Sequence, residues 1–322
     1  MATGGKEQVR YSLVKERTIT LKHADNTPLY ISIVICQDKI IVVDIRDGKV
    51  RIHRRHDGKL LDMLDRDSRP RDICLMDATT ICVLHGDGLI KMVSIKSEDV
   101  SPVFTRMKSF RLDGVFDWYH SVVRVHDNIV VVGVKQGTTY WCIVSPEDGH
   151  VDTIHRICKE SSWSSVTTKD NIIYISCGAH VDDDDHGVYG FDILNPSQCK
   201  YKYKHERLQW PRSIVINEDG NIFVVNGGFD PCIHQLTSSC QPVAIFSVEG
   251  IPWGLHAMFW DNGRLYVTRL GSRDITVFRH VHQGNRNKSE VLLSDEGTQA
   301  SIVESAIQIS QGNVSTSSML FI

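Results

Sequence analysis

Residues 211–226 have the sequence Pro211-Arg212-Ser213-Ile214-Val215-Ile216-Asn217-Glu218-Asp219-Gly220-Asn221-Ile222-Phe223-Val224-Val225-Asn226. Two short apolar runs rich in β-branched residues flank the turn signal Asp219-Gly220, so the stretch predicts two antiparallel strands. Residues 28–44 repeat the pattern, with Ile31-Ser32-Ile33 and Ile40-Ile41-Val42-Val43-Asp44 as the two runs. Two more strand-like segments follow at 49–53 and 57–61, so one unit supplies four strands.

The unit recurs along most of the chain. Its first apolar residue returns at intervals of 42 to 49 residues, at Ile31, Ile73, Val122, Val166, Ile214 and Ala257. A four-stranded repeat of this length is the size of a propeller blade. We therefore predict an all-β fold, a six-bladed β-propeller.

A closed ring requires a strand that joins its two ends, because an open sheet edge invites association. Residues 13–22 alternate like a strand and precede the first unit, so we expect them to form the outer strand of blade six beside residues 274–278. Residues 290–293 are the alternative closing strand. The predicted organisation is a flexible N-terminus at 1–10, the propeller at 11–282 and a flexible C-terminal tail at 283–322.

Composition narrows the class of protein. Lys plus Arg number 36 and Asp plus Glu 39, a net charge of −3, so the chain lacks the overall positive charge of a general nucleic-acid coat protein. No apolar run is long enough for a membrane span, and residues 1–10 carry no apolar signal segment. The nine cysteines are scattered without a C-x-x-C pair, which favours buried reduced thiols. We predict a cytoplasmic protein.

The units resemble the NHL repeat, the six-bladed propeller module at the C-terminus of many tripartite-motif ubiquitin ligases. The residues that carry the resemblance are Pro28, Asp44 and Asp57-Gly58-Lys59, Pro70 with Ile73, Pro211 with 219–224, and 261–267. Blades three and four match poorly. The resemblance implies recognition of a protein substrate or of RNA by the propeller and ubiquitin transfer by a separate RING domain, which 1–322 does not contain.

Aromatic and basic residues recur where the first strand of a blade begins. They are Trp118, Trp163, Trp210 and Trp253, with Arg71, His120 and Arg212 beside them. In a propeller this position surrounds one mouth of the central channel, where tryptophan and arginine suit peptide anchoring or base stacking. Packing between blades is the alternative role of the tryptophans.

Other charged residues are expected on the same face. Four are the arginines 66, 69, 269 and 273, and the run 180–186, which is His-Val-Asp-Asp-Asp-Asp-His, opposes them in charge. That run lacks the fixed spacing of a calcium loop, which favours a solvated loop over a metal site. We predict that the seven mouth residues bind a protein partner, with RNA as the second possibility. No cofactor, metal, membrane or DNA is expected.

An enzyme is the alternative from a different class. The segment 220–226 is also similar to six-bladed calcium-dependent lactonases, and Asp44, Asp72 and Asn226 are the oxygen ligands that such a site would use. The glutamate of those sites is missing. A zinc lyase would use His85, His120 and His256, but those enzymes are secreted and disulfide-bonded. We therefore predict a protein that is not an enzyme.

Overall fold

The computed structural model describes residues 10–22, 27–64, 69–97, 103–159, 163–178, 186–228, 230–248 and 254–283. These residues form 24 strands in six four-stranded antiparallel sheets. Each inner strand contacts the inner strands of its two neighbours, and blade six contacts blade one, so the sheets form a closed ring. The predicted all-β six-bladed propeller is confirmed. Within the described residues there is no helix long and apolar enough to cross a lipid bilayer.

Each blade runs from the channel outward in chain order. Blade one contains β2 (Tyr30–Cys36), β3 (Lys39–Asp44), β4 (Lys49–Arg54) and β5 (Leu60–Leu64). Blade two contains β6 (Pro70–Leu75), β7 (Thr80–His85), β8 (Leu89–Ile95) and β9 (Phe104–Arg111). Blade three contains β10 (Trp118–Val125), β11 (Asn128–Lys135), β12 (Thr138–Val144) and β13 (Val151–Lys159).

The second half of the ring has the same order. Blade four contains β14 (Trp163–Lys169), β15 (Ile172–Gly178), β16 (Gly187–Asp192) and β17 (Asn195–Tyr203). Blade five contains β18 (Pro211–Ile216), β19 (Ile222–Asn226), β20 (Cys232–Leu236) and β21 (Pro242–Ser247). Blade six contains β22 (Leu255–Asp261), β23 (Arg264–Arg269), β24 (Asp274–Gln283) and the N-terminal strand β1 (Arg10–Thr20).

The predicted closure by the N-terminal strand is confirmed. Strand β1 pairs with β24 in antiparallel register, with Ile19 opposite Ile275. Ile19 is 4% exposed and packs with Leu21 in the core between blades six and one. The predicted flexible segments 1–10 and 283–322 lie outside the described residues except at their inner ends, as does the alternative closing strand at 290–293.

The core lies between blades. The second strand of a blade is covered on both faces by neighbouring sheets, which explains its nearly continuous apolar sequence; every residue of β3 is buried. None of the nine cysteines forms a disulfide and eight are buried, as expected. Cys199 is exposed because it lies on β17, the outermost strand of blade four.

Backbone amides of the inner strands are satisfied by side chains of the preceding blade. We call these bonds inner latches: Ile73 N to Ser32 Oγ at 3.3 Å, Val122 N to Asp72 Oδ2 at 2.8 Å, Val166 N to Ser121 Oγ at 3.2 Å and Met258 N to Ser213 Oγ at 3.0 Å. An inner strand has one edge without a strand partner, so its buried amides need such acceptors. The latches also correct the repeat alignment: Ile73 is equivalent to Met258 in blade six and Ile33 in blade one, rather than to Ala257 and Ile31.

Candidate functional site

Two arginines lie at the mouth of the channel where the inner strands begin, which we call the entry mouth. Arg71 is on β6 of blade two and Arg212 on β18 of blade five, and these blades stand opposite each other in the ring. Both are residues at a β-bulge, where the register shifts by one or more positions. A bulge re-aims a side chain. Both side chains line the channel cavity, which has a volume of about 250 Å³.

A glycine packs against the aliphatic stem of each arginine side chain. A Cβ atom on Gly227 would lie 2.6 Å from Cγ of Arg212, and a Cβ atom on Gly86 would lie 3.4 Å from Cγ of Arg71. The two glycines are equivalent, since each follows the second strand of its blade and donates its amide to the residue that precedes the proline of the inner strand. These two positions therefore hold glycine because the arginine side chain packs closely against them, and not because the backbone adopts a positive φ angle.

Tryptophan rings cover the guanidinium groups. The Arg71 guanidinium lies 4.4 Å from the ring centroid of Trp118, in the next blade. The Arg212 guanidinium lies 5.1 Å from the ring of Trp163 and 5.6 Å from that of Trp210. Such cation–π contacts hold an arginine in one orientation while they remove water from its faces.

Trp163 begins β14, the inner strand of blade four. Among the described inner strands, β14 is the only one that pairs with the second strand of its blade without a bulge. Its ring lines the cavity and packs against the core cluster that includes Ile31 of blade one, across the channel. It also meets the ring of His256 edge to face, with 4.7 Å between centroids. Trp163 thus narrows the entry mouth.

The entry mouth is cationic and lacks a counter-ion among the described residues. Neither Arg71 nor Arg212 forms an ion pair or hydrogen bond there, and Nε of Arg71 is buried without a partner. Burial lowers the pKa of both arginines, and the neighbouring Arg69 lowers that of Arg71 further.

Two neutral histidines complete the entry mouth. Burial, together with Arg71, lowers the pKa of His120 to about 4. Burial, together with Arg212, lowers the pKa of His256 to about 3. Nδ1 of each ring is buried without a hydrogen-bond partner. The carbonyl of Ile31 acts in the opposite direction on the pKa of His256, but burial outweighs it.

The opposite mouth, where the inner strands end, differs because its charged and polar groups join neighbouring blades. We call it the exit mouth. Its bonds are Cys36 Sγ to Ala78 O at 3.2 Å, Arg124 to Met76 O, Thr168 Oγ1 to Arg124 O at 3.0 Å, Lys169 Nζ to Glu218 O at 2.5 Å, Trp260 Nε1 to Glu218 Oε2 at 2.6 Å and Arg55 Nη2 to Asp261 Oδ2 at 2.6 Å. These bonds connect all six blades. The exit mouth therefore has a structural role, whereas the cations of the entry mouth are available to a ligand.

The structure brings six of the seven predicted partner-binding residues to the entry mouth. Arg71, His120, Trp163 and Arg212 line the cavity, while Trp118 and Trp210 flank it. Trp253, Arg66 and residues 180–185 of the acidic run lie outside the described residues. Trp118, Trp163 and Trp210 are half-buried, so they combine packing with some exposed ring surface. His256 was considered only as a zinc ligand and not as a partner-binding residue, although it occupies the same bulge position as Arg71 once blade six is aligned on Met258.

The metal-binding alternatives find little support in the geometry. Of the three oxygen donors considered for calcium, only Asp72 lines the cavity. Asp44 is 1% exposed and paired with Arg51, and Asn226 is fully buried, accepting from Trp210 N and donating to Asp230 O. No group of three or more His, Cys, Asp or Glu suited to a metal ion occurs in the part of the chain that the structure describes.

Comparisons with known proteins support the fold and no finer assignment. No protein-family model matches the sequence, and no curated protein matches it. A protein of unknown function from Bacteroides thetaiotaomicron is similar in structure, with a TM-score of 0.61, 12% identity and coverage of 84% of this chain and 76% of that one. A chain of the nidogen/laminin complex has a TM-score of 0.55 and 13% identity, covering 72% and 84%. The glutaminyl cyclase of Myxococcus xanthus has a TM-score of 0.50 and 12% identity, covering 86% and 100%. Such identities show a shared fold alone, and the NHL-repeat resemblance stays a prediction.

Proposed function

We propose that this propeller is a non-catalytic recognition platform that binds a protein partner on the face around the entry mouth. The observation that carries the proposal is the pair of half-buried guanidinium groups, Arg71 and Arg212, which line the channel without an acidic partner among the described residues. Removing a charge from water without pairing it is unfavourable, and such a site gains most when a ligand supplies the opposite charge. Tryptophan and arginine are also the residues that most often dominate the binding energy of protein interfaces.

A protein suits this face better than RNA does. Affinity for RNA depends on many phosphate contacts, and the chain as a whole has a net charge of −3. The two cavity-lining arginines form a local site rather than a track along which a nucleic-acid backbone is held. RNA remains the second candidate because stacked tryptophan and arginine planes also bind bases.

The NHL resemblance supports a finer proposal. The bound protein would be a substrate in a ubiquitin-ligase pathway of the cytoplasm, with the RING domain on a separate chain or on a longer gene product. This role requires no chemistry from the propeller, in keeping with the engaged state of Asp44 and Asn226.

The test compares partner capture by three full-length proteins. These are the wild type, the double variant Arg71→Glu/Arg212→Glu, and Arg106→Glu, a control at an exposed arginine on β9, the outermost strand of blade two, away from the entry mouth. Quantitative mass spectrometry of the captured proteins should show a set that the double variant loses by ten-fold or more and the control retains. Equal capture by all three, with circular dichroism confirming that each is folded, would refute the proposed face.

RNA binding is measured on the same three proteins. A fluorescent random RNA pool should bind weakly and without a difference between wild type and double variant. Tight binding that falls steeply with salt and disappears in the double variant would replace the protein partner by RNA.

A further inference from the structure

We infer that the entry mouth is a binding site for a single carboxylate, supplied by an aspartate or glutamate side chain of the partner. The inference rests on the proposed function, since the partner that docks around the mouth is what brings the acidic side chain to it. Four residues form the site: Arg71 and Arg212 supply the charge, His120 lies beside Arg71, and Trp163 bounds the cavity.

The charge of the site favours an anion. Both guanidinium groups have lost part of their hydration, which is why their pKa values are lowered. In such surroundings a charge-assisted hydrogen bond to a carboxylate is stronger than at an exposed position. His120 is neutral at physiological pH, so it adds no charge to that of the arginines. Asp72, the acidic residue that lines the same cavity, accepts from Ser121 and Val122 N in blade three and forms no ion pair with Arg71.

The shape of the arginines favours a carboxylate in particular. Their stems lie against glycines and the carbon of each guanidinium lies over a tryptophan ring, so the tryptophans cover part of each group and a ligand meets the N–H groups that remain. One of these groups, Nε of Arg71, has no partner. Edge-on donors match the two oxygens of a planar carboxylate. The seating also fixes the side chains before binding, which reduces the loss of conformational entropy.

The size of the cavity favours a small ligand group. A volume of about 250 Å³ lies below the usual range of about 300–1,000 Å³ for sites of drug-sized molecules. Beyond the arginines the channel is lined by the latch side chains Ser32, Asp72, Ser121 and Ser213, whose oxygens are already engaged. Apart from His120, the other lining residues are mostly apolar, with Ser164, Ser165 and Thr167 of blade four and Arg124 of blade three as the polar ones. A short aliphatic stem with one carboxylate suits this arrangement.

A display library identifies the ligand chemistry directly. A phage library of random 12-residue peptides is selected on the full-length wild-type protein, and the bound pool is sequenced. We expect Asp or Glu to be enriched at least ten-fold at one position of the selected motif. In a synthetic peptide from the pool, changing that residue from Glu to Gln should weaken binding at least ten-fold. On the Arg71→Met/Arg212→Met protein the Glu and Gln peptides should bind alike, while the Arg106→Met control on the outermost strand β9 behaves as the wild type.

Each other outcome overturns a defined part of the reasoning. If the selected peptides lose affinity for the arginine double variant but show no acidic position, the carboxylate site is wrong and the recognition face stands. If a phosphoserine in place of the glutamate binds more than ten-fold tighter, the site is a phosphate site. If the selected peptides bind all variants alike, or no peptide is selected, the proposed face fails together with the carboxylate site.

Discussion

The two mouth histidines should make the protein unstable in mild acid. His120 and His256 are neutral in the folded state because burial and an adjacent arginine lower their pKa values to about 4 and about 3 from the ordinary 6.5. Below pH 6.5 the unfolded chain takes up a proton at each of them and the folded chain does not. The free energy of unfolding is therefore at its full value above pH 6.5 and falls as the pH is lowered toward 4.

The expected loss is large. Each histidine contributes about 1.4 kcal/mol per pH unit, so 1.5 units between pH 6.5 and 5 correspond to about 2 kcal/mol per histidine and about 4 kcal/mol for the pair. A typical domain has a total stability of about 5–15 kcal/mol. Carboxylates with lowered pKa values, such as Asp230, act in the same direction only below their ordinary pKa of 3.8. Asp72, whose pKa is raised by burial, acts in the opposite direction, so the contribution of each histidine is read from the difference between its variant and the wild type. The buried His234, with a pKa of about 3, adds to the loss.

Urea unfolding at pH 7.5, 6.5, 5.5 and 5.0, followed by far-UV circular dichroism, measures this loss. In His120→Gln and in His256→Gln the drop between pH 7.5 and pH 5 should be smaller by about 2 kcal/mol than in the wild type. His56→Gln is the matched control, because the side chain of His56 is 72% exposed. The reasoning is refuted if the two mouth variants show the wild-type drop within about 0.5 kcal/mol, a difference that corresponds to less than half a pKa unit.

Three other substitutions test the seating, the closure and the latches. Gly227→Ala should displace Arg212, since the new Cβ would lie 2.6 Å from Cγ of Arg212. The affinity for the selected acidic peptide, measured by fluorescence anisotropy, should fall at least ten-fold although the charge is kept. Unchanged affinity would contradict the packing of Arg212 on this glycine. Ile19→Ala removes three buried carbons of the closing strand and should lower the free energy of unfolding in urea by about 2.5–4 kcal/mol. Val14→Ala is the control, and it should lower this free energy by less than about 1 kcal/mol because Val14 is 44% exposed. Similar losses in the two variants would argue against closure by β1. Ser213→Ala leaves a buried amide without an acceptor and should cost about 1–2 kcal/mol, and a change below about 0.3 kcal/mol would show that the latch is dispensable.

The fold could be predicted from the sequence because its main determinant is local. Each blade contains a continuous apolar run that only a strand covered on both faces requires, and the spacing of these runs gives the number of blades. The closing strand β1 was predictable for a related reason, since its alternation matches a strand with one buried face, and Ile19 lies on that face.

The candidate site was less accessible from the sequence, because pairing depends on neighbours in space. Arg71 and Arg124 are both arginines on inner strands, yet Arg124 donates to the carbonyl of Met76 at the exit mouth and Arg71 has no such partner. The two lie at opposite ends of their strands, and this position was visible in the repeat. The unpaired state of Arg71 was not, since it depends on which groups the adjacent blade presents. His256 was not assigned to the mouth because the repeat was aligned on the first apolar residue, and in blade six Ala257 precedes Met258, the true equivalent of Ile73.

The inner strands combine the ligand site and the blade contacts in adjacent residues. Arg71 is followed by Asp72, His120 by Ser121 and Arg212 by Ser213, and in each pair the first residue lines the mouth while the second accepts an inner latch. Successive side chains of a strand point in different directions, so a latch that fixes one residue also fixes the direction of its neighbour. In the four blades that form a latch this position holds Ser or Asp, and in blade six it holds Ala257, whereas the mouth position differs from blade to blade. The ring can therefore hold different side chains at the mouth without changing the contacts that keep the blades together, and the arrangement of charge around the channel is set independently of the fold.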